Sequence, residues 1–457
     1  MSKGGMKGDA TRICKAVRRA GGEAWYVGGY VRDKLIAEQN NKKYSGSADI
    51  DIEVFGLTER ELENCLGSIS GTSFVRVGRA FPVYTSTAGV DVSLPRMETG
   101  DGIHHGVVKF KVDPTLLPEQ AMKRRDFTIN TFMREGAGGG KLLACTGAFD
   151  DLENGIIRHQ NDKFGEDPLR VFRAARFSAQ LGFEIALETV EVCKTIDTSQ
   201  LSHERVAWET IKALHTDKPS RFFRALKTMG QLDFWFPEIK ACVGCYQPVE
   251  FHPEGDVFEH TMLAIDYAAR HNMGQLVILA VLCHDLGKPA TATIEDGVPK
   301  FHGHAEAGVA PATDLLRRLC VRESHISAVL PVVASHMDVY NLEKADASQK
   351  SWNRLFDRSG YPALLLDTCL CDRNGKGRPE VPTPASTISA EEHFYHKDPR
   401  EEVSAQLLIA SGYKPSPAFS PALALAHKLW LAEVPKKEAL PMVLGALRSE
   451  ERKARWQ

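Results

Sequence analysis

The chain has 457 residues, 43% hydrophobic and 25% charged, with 57 lysines and arginines against 59 aspartates and glutamates. This length exceeds one ordinary domain, and the apolar content excludes a disordered chain. No apolar run approaches the roughly 18 residues of a membrane span, and the N-terminal MSKGGMKGDATRICK lacks the apolar stretch of a secretory leader, so a cytoplasmic protein of several domains is expected.

Residues 24–112 read as mixed α/β. Ala24 to Val27 forms a short apolar strand, Gly28-Gly29 breaks it, and Tyr30 to Ala37 is helical. Ala48 to Phe55 alternates acidic and apolar residues with the period of a half-buried strand. Further strands are expected at Phe74–Val77, Val83–Thr87, Val90–Leu94 and Val107–Lys111. From about 150 amphipathic helices take over, at Asp167–Leu181, His203–Leu214 and Ser220–Met229. The loop Pro248–Gly255 marks a boundary, a histidine-rich helical block follows to 376, and the Pro/Thr-rich Arg378–Thr387 links it to a last helical piece. The expected division is therefore 1–150, 151–248, 249–380 and 381–457. The ten cysteines include a CxxC at Cys242 and Cys245 and a CxC at Cys369 and Cys371. Their spacing fits no standard zinc finger, and reduced, buried thiols are expected.

Several short patterns carry chemistry. Gly28-Gly29 between a strand and a helix lets backbone amides and the helix N-terminus approach a phosphate. Asp49 and Asp51 stand two apart on a strand, so both carboxylates share a face and can bind divalent cations, while Ile50 and Ile52 face the core. A competing reading is an acidic solvent face continued by Glu53. Asp91 on a later strand is a candidate third carboxylate. In Arg124-Arg125-Asp126 two guanidinium groups can grip triphosphate oxygens and the aspartate a ribose hydroxyl, unless the three are a solvated cluster at a helix end. Asp167 and Arg170 flank a proline at a helix start and can share one helix face, where an acceptor beside a forked donor can read a base edge. The bland alternative is an ion pair with an N-cap.

Taken together, GGYVRDKL, ADIDIEVFG, VGRAFPVY, RRDFTIN, FGEDPLRVFRAARFSAQLGF, LSHERVAWE and FFRALKTMGQLDFWFPEI closely resemble the bacterial class II tRNA nucleotidyltransferases, the CCA-adding enzymes. The resemblance runs through roughly 24–376. It implies an α+β protein: a DNA-polymerase-β-like head with a mixed sheet and helices, then an all-α neck and body that hold tRNA. It implies Mg2+ on Asp49 and Asp51, and a nucleotide site of Gly28, Gly29, Arg32, Arg124, Arg125, Asp126, Asp167, Arg170, Arg173 and Arg176. Asp167 and Arg170 would select CTP and then ATP without a nucleic-acid template. The tRNA 3′-hydroxyl would attack the α-phosphorus and release pyrophosphate. A net charge of −2 does not oppose an RNA partner, because Lys123, Arg124, Arg125, Arg134, Arg158, Lys163, Arg170, Arg173 and Arg176 concentrate positive charge where head and neck meet.

The second half holds another constellation. His260 lies on an expected helix, and His284-Asp285 interrupts the end of an apolar one, a setting that suits a divalent metal. His302, His304, His336 and Asp372 follow. The order of His260, His284, Asp285 and Asp372 resembles the HD phosphohydrolase domain, with His304 and His336 as further ligands or acid–base groups. That implies a metal-dependent phosphohydrolase, on Mg2+ or a divalent transition metal, acting on such substrates as 2′,3′-cyclic ends.

Three neighbouring activities compete within the class: A-only addition, CC-only addition and poly(A) synthesis. The polar loop Pro95–Asp113 is not shortened, which favours complete CCA addition, and the mixed charge of 405–457 lowers the poly(A) polymerase reading. From another class, the chain would be an HD-type RNA-repair phosphatase with a vestigial head, which the intact head motifs oppose.

Overall fold

In a computed structural model the chain folds into two compact units, Met1–Trp235 and Phe236–Gln457. The structure describes residues 3–44, 49–78, 82–98, 110–136 and 140–455. The centre of the 95–113 loop, part of VGRAFPVY and the start of the expected 107–111 strand lie outside the described residues.

The first unit is built on a seven-stranded mixed sheet. Its strands, with two that form a separate ribbon, are β1 (Glu23–Val27), β2 (Ile50–Phe55), β3 (Phe74–Val77), β4 (Val83–Ser86), β5 (Val90–Ser93), β6 (Arg96–Glu98), β7 (Phe110–Val112), β8 (Met133–Glu135) and β9 (Leu142–Leu143). The sheet order is β3-β4-β5-β2-β1-β8-β9, and β6 pairs only with β7. Strand β2 runs antiparallel to β1 and parallel to β5, which sets Asp51 beside both Val27 and Asp91.

The alternation in β2 decides what each face meets. Ile50, Ile52 and Val54 pack against Ile13, Cys14 and Val17 of the N-terminal helix Lys3–Arg19. Phe55 lies on the opposite face with Trp25, Val27, Ala121, Met122 and Met133. Both faces of the strand are therefore covered, and Glu53 is 1% exposed. This removes the competing reading of an acidic solvent face. Alternation separates two faces but does not say whether the polar one meets water.

Beyond the sheet, the helix Leu169–Leu181 packs against both His203–Leu214 and Ser220–Thr228. The second unit is helical apart from a two-stranded hairpin, Thr293–Glu295 with Val298–Lys300. Within it the last helices bury their own cluster around Phe419, Ala422, Val443 and Leu447. The Pro248–Gly255 loop belongs to this second unit: Gln247 N–H donates to Gly255 O (2.9 Å) and Val257 N–H to Cys245 O (3.0 Å). Among the described residues no helix is long and apolar enough to cross a membrane.

Candidate active sites

Gly28 caps the Gly29–Gln39 helix with φ 65°, a conformation that leaves glycine as the residue of choice, and an added Cβ would lie 3.8 Å from Arg125 Nη1. This turn opens onto a cavity of about 720 Å³ lined by Gly28, Gly29, Arg32, Asp49, Asp51, Arg124, Arg125, Asp126, Asp167, Arg170, Arg173 and Arg176. The structure thus brings every candidate nucleotide residue to one wall or another of a single space. Arg205, Lys212 and His215 line it too.

Burial first, then the charges of Asp91, Asp49 and Glu53, push the Asp51 carboxyl up to about 6 against the pull of Arg125. A half-buried, crowded carboxylate of this kind is stabilised by a cation, so the residues fit a divalent metal. Asp91, the candidate third carboxylate, sits across the parallel pairing and accepts a hydrogen bond from Thr85 Oγ1 at 2.6 Å.

Glu53 anchors the two arginines of RRD. Arg124 contacts one of its oxygens, and Arg125 Nη2 lies 2.8 Å from the other. The pair is therefore not a solvated helix-end cluster. Glu53→Gln removes the buried charge that both half-buried guanidinium groups contact. It is expected to cost about 3 kcal/mol of stability, read by urea unfolding, and to raise the KM for nucleotide.

Asp126 is fixed from several sides. Its carboxylate accepts from Arg173 Nε (2.7 Å), Asn130 Nδ2 (2.9 Å) and the Phe127 amide (2.9 Å). Burial opposes its charge, but Arg173 and the Asn130 hydrogen bond hold it below the usual carboxylate range. Asn130 Oδ1 in turn accepts from buried Arg32 at 2.6 Å. Arg176 contacts the buried Glu209 and lies 4.0 Å from the Phe177 ring centroid.

Asp167 and Arg170 line the same cavity but do not share a helix face. Asp167 has extended dihedrals (φ −116°, ψ 99°) and precedes the helix, and it receives Arg205 Nη2 at 2.9 and 3.1 Å. Arg170 donates to the carbonyls of Lys163 (3.0 Å), Phe164 (3.4 Å) and Arg124 (3.2 Å), which fix its plane. Proline at 168 forces this break, since it disfavours helical dihedrals in the residue before it.

In the second unit His260, His284, Asp285 and Asp372 meet in the interior. His260 Nε2 lies 2.9 Å from Asp372 Oδ1 and 3.8 Å from Asp285 Oδ2, and His284 Nε2 lies 3.1 Å from Asp285 Oδ2. His304 Nε2 and His336 Nε2 approach the other Asp285 oxygen at 3.4 and 3.8 Å. His302 stays outside, 77% exposed. Gly287 makes this packing possible: a Cβ there would stand 2.1 Å from His304 O.

The tautomers follow from the other ring nitrogens. Nδ1 of His284, His304 and His336 faces the carbonyls of Val281 (2.7 Å), Phe301 (2.8 Å) and Val333 (2.7 Å), and Nδ1 of His260 faces Glu254 (2.7 Å). The Nδ1 of His284, His304 and His336 therefore carries a hydrogen and turns Nε2 inward, while His260 has a carboxylate at each ring nitrogen. Four Nε2 atoms and two carboxylates converge, and His284 Nε2 is buried with no hydrogen bond among the described residues. A divalent cation would satisfy that set, so these residues fit a metal. Without one, burial opposes a charge on His260 but the hydrogen bonds to Asp372 and Glu254 prevail and raise it to about 9. Burial and His284 lower His336 to about 4. Lys288 Nζ (2.7 Å from Asp285 Oδ2) and Tyr340 Oη (2.8 Å from Asp372 Oδ2) complete the surroundings. Glu254, Lys288, Tyr340, Glu53 and Arg205 were not among the sequence candidates.

A sheet-borne carboxylate pair under a glycine turn, joined in one chain to a histidine–aspartate metal cage, defines a nucleotidyltransferase head followed by an HD domain. The family comparisons agree: residues 24–158 match the poly A polymerase head domain, 182–243 the probable RNA and SrmB-binding site of polymerase A, and 257–373 the HD domain. Head and HD families are metal-dependent. The chain is 36% identical over 333 residues to a multifunctional CCA protein of Xylella fastidiosa strain M23, covering 70% of this chain and 76% of the relative. It is 33% identical over 382 residues to one from Acinetobacter baumannii strain SDF, covering 81% and 88%. The chain belongs to the multifunctional CCA protein family of tRNA nucleotidyltransferases. Its fold is also that of the Bacillus stearothermophilus CCA-adding enzyme in complex with CTP, with TM-score 0.64 at 19% identity and coverage of 99% and 100%. The Thermotoga maritima CCA-adding enzyme complexed with tRNA matches with TM-score 0.58 at 17% identity, covering 96% and 95%.

Proposed function

We propose that the head cavity completes the 3′-CCA end of tRNA from CTP and ATP, with Mg2+ held by Asp49 and Asp51, and that the protein works in the cytoplasm. The observation that carries this reading is the single cavity in which these carboxylates, the glycine turn and the Asp167–Arg170–Arg205 set all meet. When bound, a divalent cation loosens the proton of the attacking hydroxyl and neutralises the departing pyrophosphate. The chain's own residues do the rest. Gly28 and Gly29 admit the triphosphate to backbone amides, and Arg32 and Arg125 supply positive charge from fixed positions. Arg125 keeps a buried Nε with no hydrogen bond among the described residues, a donor for a phosphate oxygen. Asp126 is the acceptor for a ribose hydroxyl. Asp167, steered by Arg205, accepts from the exocyclic amino group that C and A share, and Arg170 donates to the adjacent ring position. A guanine, which offers a carbonyl there, is rejected.

In the HD unit, His260, His284, Asp285 and Asp372 are the ligands we assign, with His304 and His336 completing a second set around Asp285. The reaction is phosphate-ester hydrolysis, on 2′,3′-cyclic ends among its substrates, with Mg2+ or a divalent transition metal. We assign 1–150 to the head, 151–248 to nucleotide selection and tRNA binding, 249–380 to the HD domain and 381–457 to a helical tail.

The test uses tRNA transcripts ending before CCA, after C and after CC, each given CTP, ATP or both. Stepwise CTP, CTP and ATP incorporation is expected. Failure to extend the first transcript with CTP sinks the reading, and absence of the last step reassigns the protein as CC-adding.

A further inference from the structure

The helix His203–Leu214 and the residue after it carry a stripe of which the nucleotide site uses Arg205 alone. Arg205, Trp208, Lys212 and His215 follow one another at spacings of three and four, and so share one side of the helix. The opposite side, with Val206, Thr210, Ala213 and Leu214, is buried and holds the helix in place. Arg205, Lys212 and His215 line the nucleotide cavity. Trp208 stands between them on the stripe and is 63% exposed. The Lys212 ammonium lies 4.6 Å from its ring centroid. A large aromatic kept in water beside fixed positive charge, continuous with a nucleotide cavity, has the make-up of a single-strand binding platform: a flat face for a base and a cation for the adjoining phosphate.

We infer that Trp208 and Lys212 form an RNA subsite, in which a base of the unpaired 3′ end of the acceptor strand stacks on the indole while Lys212 meets its phosphate. The occupant is the RNA and not the incoming nucleotide. The residues assigned to triphosphate, ribose and base all line the cavity itself, whereas Trp208 is not part of that lining and sits beside it, between the lining residues Arg205 and Lys212. Charge points the same way, since the Lys212 ammonium beside the indole offers a partner for a backbone phosphate. The subsite rests on the proposed reading of the cavity as the site of CCA addition.

The experiment compares wild type, W208A and W208F on a tRNA transcript lacking CCA, with KM determined separately for RNA and for CTP. Because Trp208 is largely in solvent, its replacement spares the core, and unchanged thermal melting checks this. W208A is expected to raise the RNA KM about tenfold, the range of a lost base-on-aromatic stack. The CTP KM stays constant, and W208F recovers most of the loss. An unchanged RNA KM in W208A overturns the subsite, as does a rise confined to the CTP KM. Wild-type protein that extends no tRNA overturns the reading of the cavity itself, an outcome distinct from a wild type that extends and a W208A that matches it.

Discussion

Asp51→Asn is expected to lower nucleotide incorporation by at least about a thousandfold, since a metal ligand at the reacting phosphate contributes several kcal/mol of transition-state stabilisation. The substitution keeps the side chain's shape between Val27 and Asp91. It also relieves the repulsion that burial and the neighbouring carboxylates impose on Asp51. Stability should therefore hold or rise while activity vanishes, a pairing that loss of structure does not produce. Phosphohydrolysis by the second unit should be unaffected. Incorporation assays beside thermal melts decide the matter: activity within tenfold of wild type would remove Asp51 from the metal site.

The chemistry-bearing residues of the head were legible because strand and turn periodicity is local. Asp49, Asp51 and the isoleucines between and after them announce a face and its opposite without any knowledge of the rest of the chain. What covers each face is not local. Glu53 reads as solvent-facing by alternation alone, and only the return of the chain at 118–126 buries it under Arg124 and Arg125. Arg205 escaped notice because its partner Asp167 is 38 residues away. Asp167 and Arg170 were expected on one helix side, and the proline between them moved Asp167 off the helix. The N-terminal helix Lys3–Arg19 was missed since its glycines disfavour a helix, and burial of Ile13, Cys14 and Val17 overrides that propensity. In the HD block the Asp296-Gly297 pair, both at positive φ, is a hairpin signal that the helical reading of the segment passed over. The histidines and aspartates proposed as HD ligands are visible in the sequence as a motif. Glu254 was not, lying in a loop whose proline and glycine suggested only a boundary, although that loop delivers its carboxylate to His260.

Asp285→Asn should abolish phosphohydrolysis and leave CCA addition intact. The buried carboxylate faces His284, His304 and His336 and also Lys288, and its pKa is held well below the usual carboxylate range: burial opposes this, while the contacts with His284 and Lys288 prevail. Asparagine keeps the volume and one oxygen but loses the charge that any cation there needs. Metal uptake separates a lost ligand from a lost fold. A ligand that binds only the native state at a hundred times its Kd stabilises by about 2.7 kcal/mol. Chelated wild-type protein should therefore melt at a higher temperature when a divalent metal is restored, and should release protons as His260 gives up the hydrogen it shares with Asp372. Chelated D285N should fold, show neither the metal-dependent shift nor the proton release, and still extend tRNA through the first unit. A D285N protein that retains both responses would place the metal elsewhere in the second unit.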